Sequence, residues 1–399
     1  MNKIDELIEK QCPNGIEYKK LGEVAIVTAG NSAPQNKDYF INGKYPFCRT
    51  ADVGRTQKSV NFDDISDKLN DEGIKGLRLF PKGSILIPKS GASTLLNNRV
   101  RLSVDSYVVS HLAVIIPDEK KINSKFLYYA IEGFDMGNLV EDRSYPSVKS
   151  SKIAESIFVP VPPLEVQDEI VHILDDFTLL SAELSAELKA RQKQYEYYFN
   201  KIMNNEKYDK MKIGDIGQVK MCRRILKSQT NNIKGIPFYK IGTFGKEPDA
   251  FIDEETFNEY KEKYSYPKKG DILISCSGTI GRTVIFDGEP AYFQDSNIVW
   301  LEHDNTKVIN EYLFYCYKTN PWSISTGGTI ARLYNDNILK AEISVPPIEE
   351  QKRIVEKLNR FYKICNDISE GLPAEIEARR KQYEYYRDKL LTFEEKKDE

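Results

Sequence analysis

The clearest arrangement of reactive side chains in the sequence is an acidic pattern of the kind that holds Mg²⁺ in nucleases. Asp249 follows a proline, and Glu259 and Lys261 stand beyond it at the spacing of a PD-(D/E)xK motif, whose acidic residues bind a metal ion. Residues 254–264 nevertheless have the composition of a polar helix, whereas such a motif needs a strand. We therefore predict no metal site here, and a nuclease remains only an alternative function.

Cysteines and histidines supply no other reactive centre. The six cysteines are scattered, which predicts neither a zinc site nor a disulfide framework and favours reduced thiols in the cytoplasm. His111, His172 and His303 are isolated, and an isolated histidine is more often structural than catalytic. Phosphate-binding loops and nucleophile elbows are absent, as is any apolar run long enough for a membrane span. We expect no catalytic residue, no cofactor on this chain and no membrane contact.

Positive charge is concentrated in two stretches of a chain whose net charge is only −3. Residues 73–101 hold six basic and no acidic side chains, and residues 212–246 hold eight basic side chains against Asp215 alone. Arginine and amide side chains can read base edges, and lysines can contact phosphates, so these stretches predict binding of double-stranded DNA; solvated loops are the alternative. The candidate DNA-binding residues are Lys75, Arg78, Lys89, Asn97, Asn98, Arg99, Arg101, Lys220, Arg223, Arg224, Lys227, Lys240 and Arg282.

The two basic stretches lie in the two halves of a duplicated chain. Residues 190–198 and 378–386 are identical at eight of nine positions, and a Val-Pro-Pro-x-Glu-x-Gln block precedes each copy, at 161–167 and 345–351. Weaker matches include a Ser-Gly pair in each half, at Ser90 and at Ser277. The period of about 190 residues indicates a duplicated domain rather than a solenoid.

Long helices are the elements that must position the two halves. Apolar residues recur at steps of three and four and predict one helix over residues 164–203. The second copy runs from residue 348 to about 393, has four more residues between its Pro-Pro pair and its Ala-Arg pair, and is predicted to break near Gly371-Leu372-Pro373. A coiled-coil scaffold is an alternative interpretation, but polar residues also recur between the copies, which packing alone does not require. The segments before each helix alternate short strands and helices.

This order of two dissimilar domains, each followed by a near-identical helical block, resembles the specificity subunit of type I restriction-modification systems. The Val-Pro-Pro opening and the Lys-Gln-Tyr-Glu-Tyr-Tyr block look like the conserved regions of that family. A tandem Ser-Ala-Glu-Leu also resembles the spacer repeat of one subgroup, in which copy number sets the gap between two half-sites. It consists of Ser181, Ala182, Glu183, Leu184, Ser185, Ala186, Glu187 and Leu188.

The resemblance implies a DNA-recognition subunit without catalysis of its own. Each globular domain would read half of a bipartite target, and the helices would set the gap and bind two methyltransferase subunits. Two restriction subunits would join them, and S-adenosylmethionine, ATP and Mg²⁺ would be used by these partners. The repeated candidate docking residues are Lys193, Gln194, Tyr195 and Glu196 in the first copy and Lys381, Gln382, Tyr383 and Glu384 in the second.

The expected fold class is mixed α/β with a pseudo-twofold duplicated architecture. Two globular target-recognition domains are separated and followed by long α-helices that pack antiparallel. The predicted segments are a first recognition domain at 1–156, a central helical region at 157–207, a second recognition domain at 208–342, a C-terminal helical region at 343–393 and a charged tail at 394–399.

Overall fold

The computed structural model describes residues 3–324, 331–367 and 369–396, so the last three residues of the predicted tail lie outside it. The chain forms two compact units. Unit 1 contains residues 1–183 and 376–399, and unit 2 contains residues 184–375. Both divisions fall inside predicted helical regions, so each unit combines one globular domain with parts of both helical blocks. The five-segment division made from the sequence stays a prediction.

The first half of the chain alternates short strands and helices, as its sequence predicts, and ends in a helix of 40 residues. Its elements are α1 (Lys3–Gln11), β1 (Tyr18–Lys20), α2 (Leu21–Val24), β2 (Ala25–Ala29), β3 (Tyr45–Cys48), α3 (Thr50–Thr56), β4 (Lys58–Phe62), β5 (Asp67–Leu69), β6 (Ile85–Pro88), β7 (Arg99–Leu102), β8 (Tyr107–Val108), β9 (Leu112–Pro117), α4 (Ser124–Glu132), α5 (Ser150–Ser156), β10 (Phe158–Pro160) and α6 (Leu164–Met203).

The second half has a similar, though not identical, order of strands and helices. Its elements are β11 (Lys210–Lys212), β12 (Gln218–Lys220), β13 (Ile236–Tyr239), β14 (Phe251–Ile252), α7 (Glu254–Lys263), β15 (Ile272–Ser275), β16 (Thr283–Ile285), β17 (Tyr292–Phe293), β18 (Ile298–Glu302), α8 (Asn310–Lys318), α9 (Asn335–Lys340), β19 (Glu342–Ser344), α10 (Ile348–Asn366) and α11 (Leu372–Leu391).

The sheets of the two units have the same order of strands, except that the larger sheet of unit 1 has one more strand, β4, at its edge. In unit 1, β2-β9-β6-β7-β4 form one sheet and β5-β3-β8 a second; in unit 2, β12-β18-β15-β16 and β14-β13-β17 correspond to them. The parallel pair β3·β8 has its counterpart in β13·β17, and the antiparallel pair β1·β10 in β11·β19. The duplication that the sequence predicts is therefore present in the fold.

The central strand of each unit is buried on both faces because it separates two apolar cores. Ile85 and Ile87 of β6 face a core that includes α4 and the start of α6, while Leu86 faces the core of the smaller sheet. Strand β15 divides its residues in the same way between two cores of unit 2. Side chains of a strand alternate between its faces, so the run Ile-Leu-Ile that both strands share fits this position.

The long helices follow the sequence prediction closely. Helix α6 runs without interruption through the tandem Ser-Ala-Glu-Leu, whereas the second helical block is broken between Asn366 and Leu372. The N–H of Gly371 donates to the carbonyl of Asp367 at 3.0 Å inside this break. Among the described residues, no helix is long and apolar enough to cross a bilayer.

Each unit is closed by the end of the helical block that belongs to the other half of the sequence. In unit 1, Tyr386 of α11 stacks on Phe177 of α6, with ring centroids 5.4 Å apart. In unit 2, Tyr198 of α6 stacks on Phe361 of α10 at 6.1 Å. The start of one block and the end of the other therefore form the helical layer of each unit.

One buried glutamine joins each helical layer to its globular domain. Gln167 is fully buried; its Oε1 accepts from the N–H of Asn123, and its Nε2 donates to the carbonyl of Pro162. Gln351 does the same with the N–H of Ile309 and the carbonyl of Pro346. This explains why the glutamine of the Val-Pro-Pro block occurs in both halves, since a buried amide needs these partners.

The helices that follow these contacts begin differently in the two units. The side chain of Asn123 accepts from two N–H groups of α4 and caps the start of that helix. In unit 2 the cap position is taken by Ile309, and Asn310 is the first residue of α8. The side chain of Asn310 is instead hydrogen-bonded to His303 at 2.7 Å.

Candidate nucleic-acid interface

Three loop segments meet where the central strand of unit 1 ends. The N–H of Lys89 donates to the carbonyl of His111 at 3.0 Å, and the N–H of Val148 donates to the carbonyl of Lys89 at 2.9 Å. The Ser90 hydroxyl is hydrogen-bonded to Nδ1 of His111 at 2.9 Å. We call residues 89–91, 110–111 and 146–148 junction 1.

Unit 2 repeats this junction with different side chains. The N–H of Cys276 donates to the carbonyl of Asn297 at 2.7 Å, and the N–H of Leu333 donates to the carbonyl of Cys276 at 2.9 Å. The Ser277 hydroxyl donates to Oδ1 of Asn297 at 2.9 Å, where unit 1 has the serine–histidine contact. Residues 276–278, 296–297 and 332–333 are junction 2.

The Ser-Gly pairs give both junctions their shape. Gly91 and Gly278 have φ of +77° and +63°, a conformation that side chains with a Cβ rarely adopt, so the chain turns sharply after each serine. The backbone hydrogen bonds of the junctions are thus repeated, while the side chains around them differ between units. Such a constant frame with variable side chains is suited to presenting two different recognition surfaces.

Arg332 belongs to junction 2, and Arg224 lies next to it. Arg332 donates to the carbonyl of Ser296 at 2.7 Å and lies 5.9 Å from the ring of Tyr334. Arg224 donates to Asp295 at 3.1 Å, yet its side chain is 70% exposed. Arg223 lies 5.3 Å from the ring of Tyr264. Their guanidinium groups are held at the surface with donors to spare, because one guanidinium carries five N–H groups.

Near junction 1, an asparagine holds one of the predicted DNA-binding arginines. Asn31 is tied to the junction because its N–H donates to the carbonyl of Val108 and its carbonyl accepts from Ser110. Its side-chain amide bonds both backbone groups of Arg78, whose guanidinium lies 5.1 Å from the ring of Phe80. The exposed Arg78 side chain, predicted to bind DNA, is thereby held near Asn31.

The structure corrects the prediction that Arg99 contacts DNA. Arg99 is fully buried, and its guanidinium donates to the carbonyls of Ile131 and Phe134 at the end of α4. Desolvation by burial lowers the pKa of Arg99 to about 10. Arg101 is also turned inward, where it donates to the hydroxyl of Ser124 and the carbonyl of Val60. Both arginines hold α4 on the sheet.

The neighbouring asparagines have internal roles as well. Asn97 bonds Asp135 and accepts from the N–H of Met136, and Asn98 is only 7% exposed. The basic stretch at 73–101 therefore divides into a surface part, with Lys75, Arg78 and Lys89, and an interior part. Counting charges along the chain cannot separate these two parts.

The remaining basic candidates in unit 2 lie at or near the surface with partners of their own. Lys220 pairs with Glu302 at 3.5 Å, Lys240 with Asp249 at 2.8 Å, and Arg282 donates to the carbonyl of Phe244. Lys227 is exposed. These contacts leave their predicted role in DNA binding untested, whereas Arg224 contacts Asp295, the residue next to junction 2.

The nuclease-like residues do not form a cluster. Glu259 and Lys261 lie on helix α7, as predicted, and Asp249 forms the ion pair with Lys240. Across residues 3–324, 331–367 and 369–396, no group of three or more histidine, cysteine or acidic side chains could hold a metal ion.

The repeated docking candidates are divided between surface and interior. Lys193, Glu196 and Lys381 are exposed. Tyr195 packs against the core of unit 2, and Tyr383 donates its hydroxyl to Glu132 inside unit 1, which corrects their assignment to an exposed face. Gln194, Gln382 and Glu384 bond to Arg191, Arg379 and Arg380 of their own helices.

Sequence reasoning missed several residues of the junctions. The sequence gives no partner for His111 and no reason to single out Arg332, although both lie beside the repeated serines. The Ser-Gly pairs are visible in the sequence as part of the repeat but not as a site. Their recurrence after equivalent strands was the signal that could have located both junctions.

Comparison with protein families gives two matches to one model. The model of the type I restriction modification DNA specificity domain matches residues 13–191 and 205–378. A putative type I restriction enzyme specificity subunit of Haemophilus influenzae is 44% identical over 387 residues, which cover 95% of this chain and 96% of that protein. The specificity subunit of EcoR124I/EcoR124II from Escherichia coli is 30% identical over 69% of this chain and 72% of its own.

Solved structures share the fold at low sequence identity. A chain from a study of complex assembly and conformational transition in the type I system has a TM-score of 0.64 and 17% identity, over 95% of this chain and 98% of that chain. The S subunit of a type I restriction-modification system from M. genitalium has a TM-score of 0.52 and 14% identity, over 94% and 96% of the two chains.

Proposed function

Because the chain belongs to the family of type I restriction modification DNA specificity proteins, we propose that it is the DNA-recognition subunit of such a system and reads a target in two parts. The observation that carries the proposal is the repeated junction. Both units hold three loop segments with the same backbone hydrogen bonds, but Lys89, His111 and Val148 of unit 1 are replaced by Cys276, Asn297 and Leu333 in unit 2. Two different half-sites follow from two different sets of side chains.

Surface arginines and lysines supply the affinity in this proposal. Arg223, Arg224 and Arg332 contact phosphates or guanine edges near junction 2, and Arg78 and Lys89 act near junction 1. Since phosphate contacts release counterions from DNA, affinity falls steeply with salt. The chain itself performs no chemistry, and base recognition directs the chemistry of its partners.

Helix α6 sets the gap between the half-sites in this proposal. The tandem Ser-Ala-Glu-Leu lies inside an uninterrupted helix, so adding four residues lengthens that helix by about 6 Å. This corresponds to roughly two base pairs of duplex at about 3.4 Å each. Inserting a third copy after Leu188 therefore changes the gap and leaves both half-sites unaltered; altered half-sites would contradict this division of roles.

Methyltransferase and restriction subunits are the protein partners that we propose, two of each. Exposed residues of the repeated helical block, among them Lys193, Glu196 and Lys381, are suited to one partner that binds twice. S-adenosylmethionine, ATP and Mg²⁺ belong to those partners rather than to this chain. The cytoplasm is the proposed location, and the six cysteines, which are all free thiols here, are compatible with it.

A methylome tests the proposal directly. The chain is expressed with the methyltransferase subunit of its own system in a host without adenine methylation, and modified adenines are mapped by single-molecule sequencing. We expect a split motif with a fixed gap. If both proteins are soluble and associated but no new methylation appears, the recognition role is contradicted. The matched control omits this chain, because the partner alone should leave the genome unmodified.

A further inference from the structure

Two charged residues of opposite sign occupy the same place in the two units. Glu132 is the last residue of α4 and Lys318 the last residue of α8. Both helices are anchored by a buried glutamine, and Glu132 and Lys318 follow these anchors at the same separation along the chain. Glu132 contacts the helical end that closes unit 1, and Lys318 lines one pocket together with Tyr195 and Phe199 of the helical end that closes unit 2.

In unit 1 the carboxylate is almost completely enclosed by α11. The Glu132 side chain is 8% exposed and accepts from the hydroxyl of Tyr383. Arg387, whose side chain is 13% exposed, places a guanidinium nitrogen 3.5 Å from the same carboxylate. Lys58 lies farther away, at 3.9 Å. Removing Arg387 would leave a buried carboxylate with a tyrosine hydroxyl as its main partner.

In unit 2 an aromatic cluster replaces the ion pair. The Lys318 ammonium lies 4.4 Å from the ring centre of Phe314 and 4.7 Å from that of Tyr362. Phe199 stacks on Tyr195 at 5.8 Å, and its ring lies 6.4 Å from that of Tyr315. Within the repeated block, Tyr195 corresponds to Tyr383 and Phe199 to Arg387. Burial among these groups lowers the pKa of Lys318.

The other residues of the repeated block are too similar to distinguish the two helical ends. The nine-residue block differs only at Gln192 and Arg380, and Arg380 bonds Glu377 and Glu384 on its own helix. The next position, Phe199 or Arg387, is the first difference that contacts the globular domain. Two helical ends with the same tyrosines need such a difference to be distinguished.

We propose that Glu132 and Lys318 select which helical end packs on each globular domain. Glu132 accepts the end that carries Arg387, and Lys318 accepts the end that carries Phe199. The exchanged pairing would place phenylalanine on a buried carboxylate and arginine beside a lysine, and both contacts are unfavourable. The competing partner that this pairing excludes is the equivalent helix of a second copy of the chain.

Charge exchange within unit 1 of the full chain tests the selection. Glu132→Lys and Arg387→Phe should each lower the protection of α4 against hydrogen exchange, by about 100-fold in the local opening constant. The double variant reproduces the lysine–phenylalanine pair of unit 2 and should recover at least about 10-fold over the product of the single effects. Lys389→Phe, an exposed position on the same helix, is the matched control and should change little.

Unit 2 provides the reciprocal test, which also covers the case that Glu132→Lys fails to fold. Phe199→Arg should open α8, and Lys318→Glu in the same chain should restore protection. Strictly additive effects in either unit would overturn the proposal, since a side chain that only fills space shows no such rescue.

Exchange of helices between two copies of the chain gives a measurement that a purely local packing effect would not change. Light and isotopically labelled chains of the Glu132→Lys/Arg387→Phe variant, in which both ends now carry phenylalanine opposite lysine, are mixed and analysed by native mass spectrometry. We expect mixed dimers at several times the fraction seen for the unmodified chain and for Lys389→Phe. Equal fractions would overturn the selection and leave only a local contact.

Discussion

Units 1 and 2 share their hydrogen-bonded frame and differ in the side chains that fill it. Gln167 and Gln351 make matching contacts at the start of α6 and α10, and two backbone hydrogen bonds of junction 1 have counterparts in junction 2. Strand β7 nevertheless holds α4 with two inward arginines, whereas β16 has Thr283 and Ile285 at the corresponding places in the register. The glutamines that join the helical layer to each domain are thus the same in both units, whereas the residues at the positions of Arg99 and Arg101 differ.

The largest effect on stability is expected in one unit alone, because Arg99 has no equivalent arginine in unit 2. Arg99→Met removes both donors to the carbonyls of Ile131 and Phe134 and should destabilise unit 1 by about 3 kcal/mol. Hydrogen exchange should show opening of α4 and not of α8. Arg78→Ala, at an exposed position of the same unit, is the control. An unchanged α4 would show that the buried guanidinium is dispensable.

The next effect sharpens the comparison, because it should be equal in both units. Gln167→Met and Gln351→Met keep the length of the side chain and leave buried N–H and carbonyl groups without partners, at a cost of about 2 kcal/mol each. Exchange at Asn123 should rise in the first variant and exchange at Ile309 in the second. A clearly unequal pair of effects would mean that the two glutamines do not have the same structural role.

A smaller effect separates recognition from stability. Arg223→Ala/Arg224→Ala should weaken DNA binding about 10-fold at 0.15 M salt and reduce the slope of log affinity against log salt by about 1.8. Fluorescence anisotropy at several salt concentrations measures both quantities, and the thermal transition should stay in place. If the double variant lowered DNA affinity by the same factor at every salt concentration, Arg223 and Arg224 would not contact phosphates, and their assignment to phosphate binding would be wrong.

The smallest effect concerns the acidic pattern, which has no counterpart in unit 1. Asp249→Ala removes the ion pair with Lys240. The side chains of Lys240 and Asp249 are 41% and 58% exposed, so the free energy of unfolding should change by less than about 0.5 kcal/mol. DNA binding should persist. Purified wild-type chain incubated with Mg²⁺ and DNA should leave the DNA intact. Cleavage by the wild type that Asp249→Ala abolishes would instead support the nuclease alternative.

The spacing of apolar residues and the positions of glycine and proline predicted the helices and strands well, but not the direction in which their side chains face. The apolar spacing from Ile170 to Ile202 located α6, and Gly371 with Pro373 marked the break before α11. The polar composition of residues 254–264 correctly indicated helix α7. Arg99 was assigned to the surface because a charge in a basic stretch normally is exposed; only the fold reveals carbonyls at the end of α4 that can enclose it.

The candidate site was harder to predict because its parts come from distant segments. Junction 1 joins residues near 90, 110 and 147, and no local pattern links them. The near-identical helical blocks also give no indication of which globular domain each one packs on, since Phe199 and Arg387, which differ, lie just outside the nine-residue block. The sequence repeat therefore predicts the duplication and the Ser-Gly pairs, whereas only the structure shows which helical end packs on which globular domain.

The division of unit 1 between two distant stretches of chain has a consequence for its biosynthesis. Residues 376–399 complete unit 1, but the ribosome makes them only after all of residues 184–375, which form unit 2. At about 5–20 residues per second, the first globular domain waits on the order of 10–40 s with the apolar surface that receives α11 uncovered. The domain translated first is thus the last to be completed, and nascent chains interrupted after residue 375 expose that surface to chaperones.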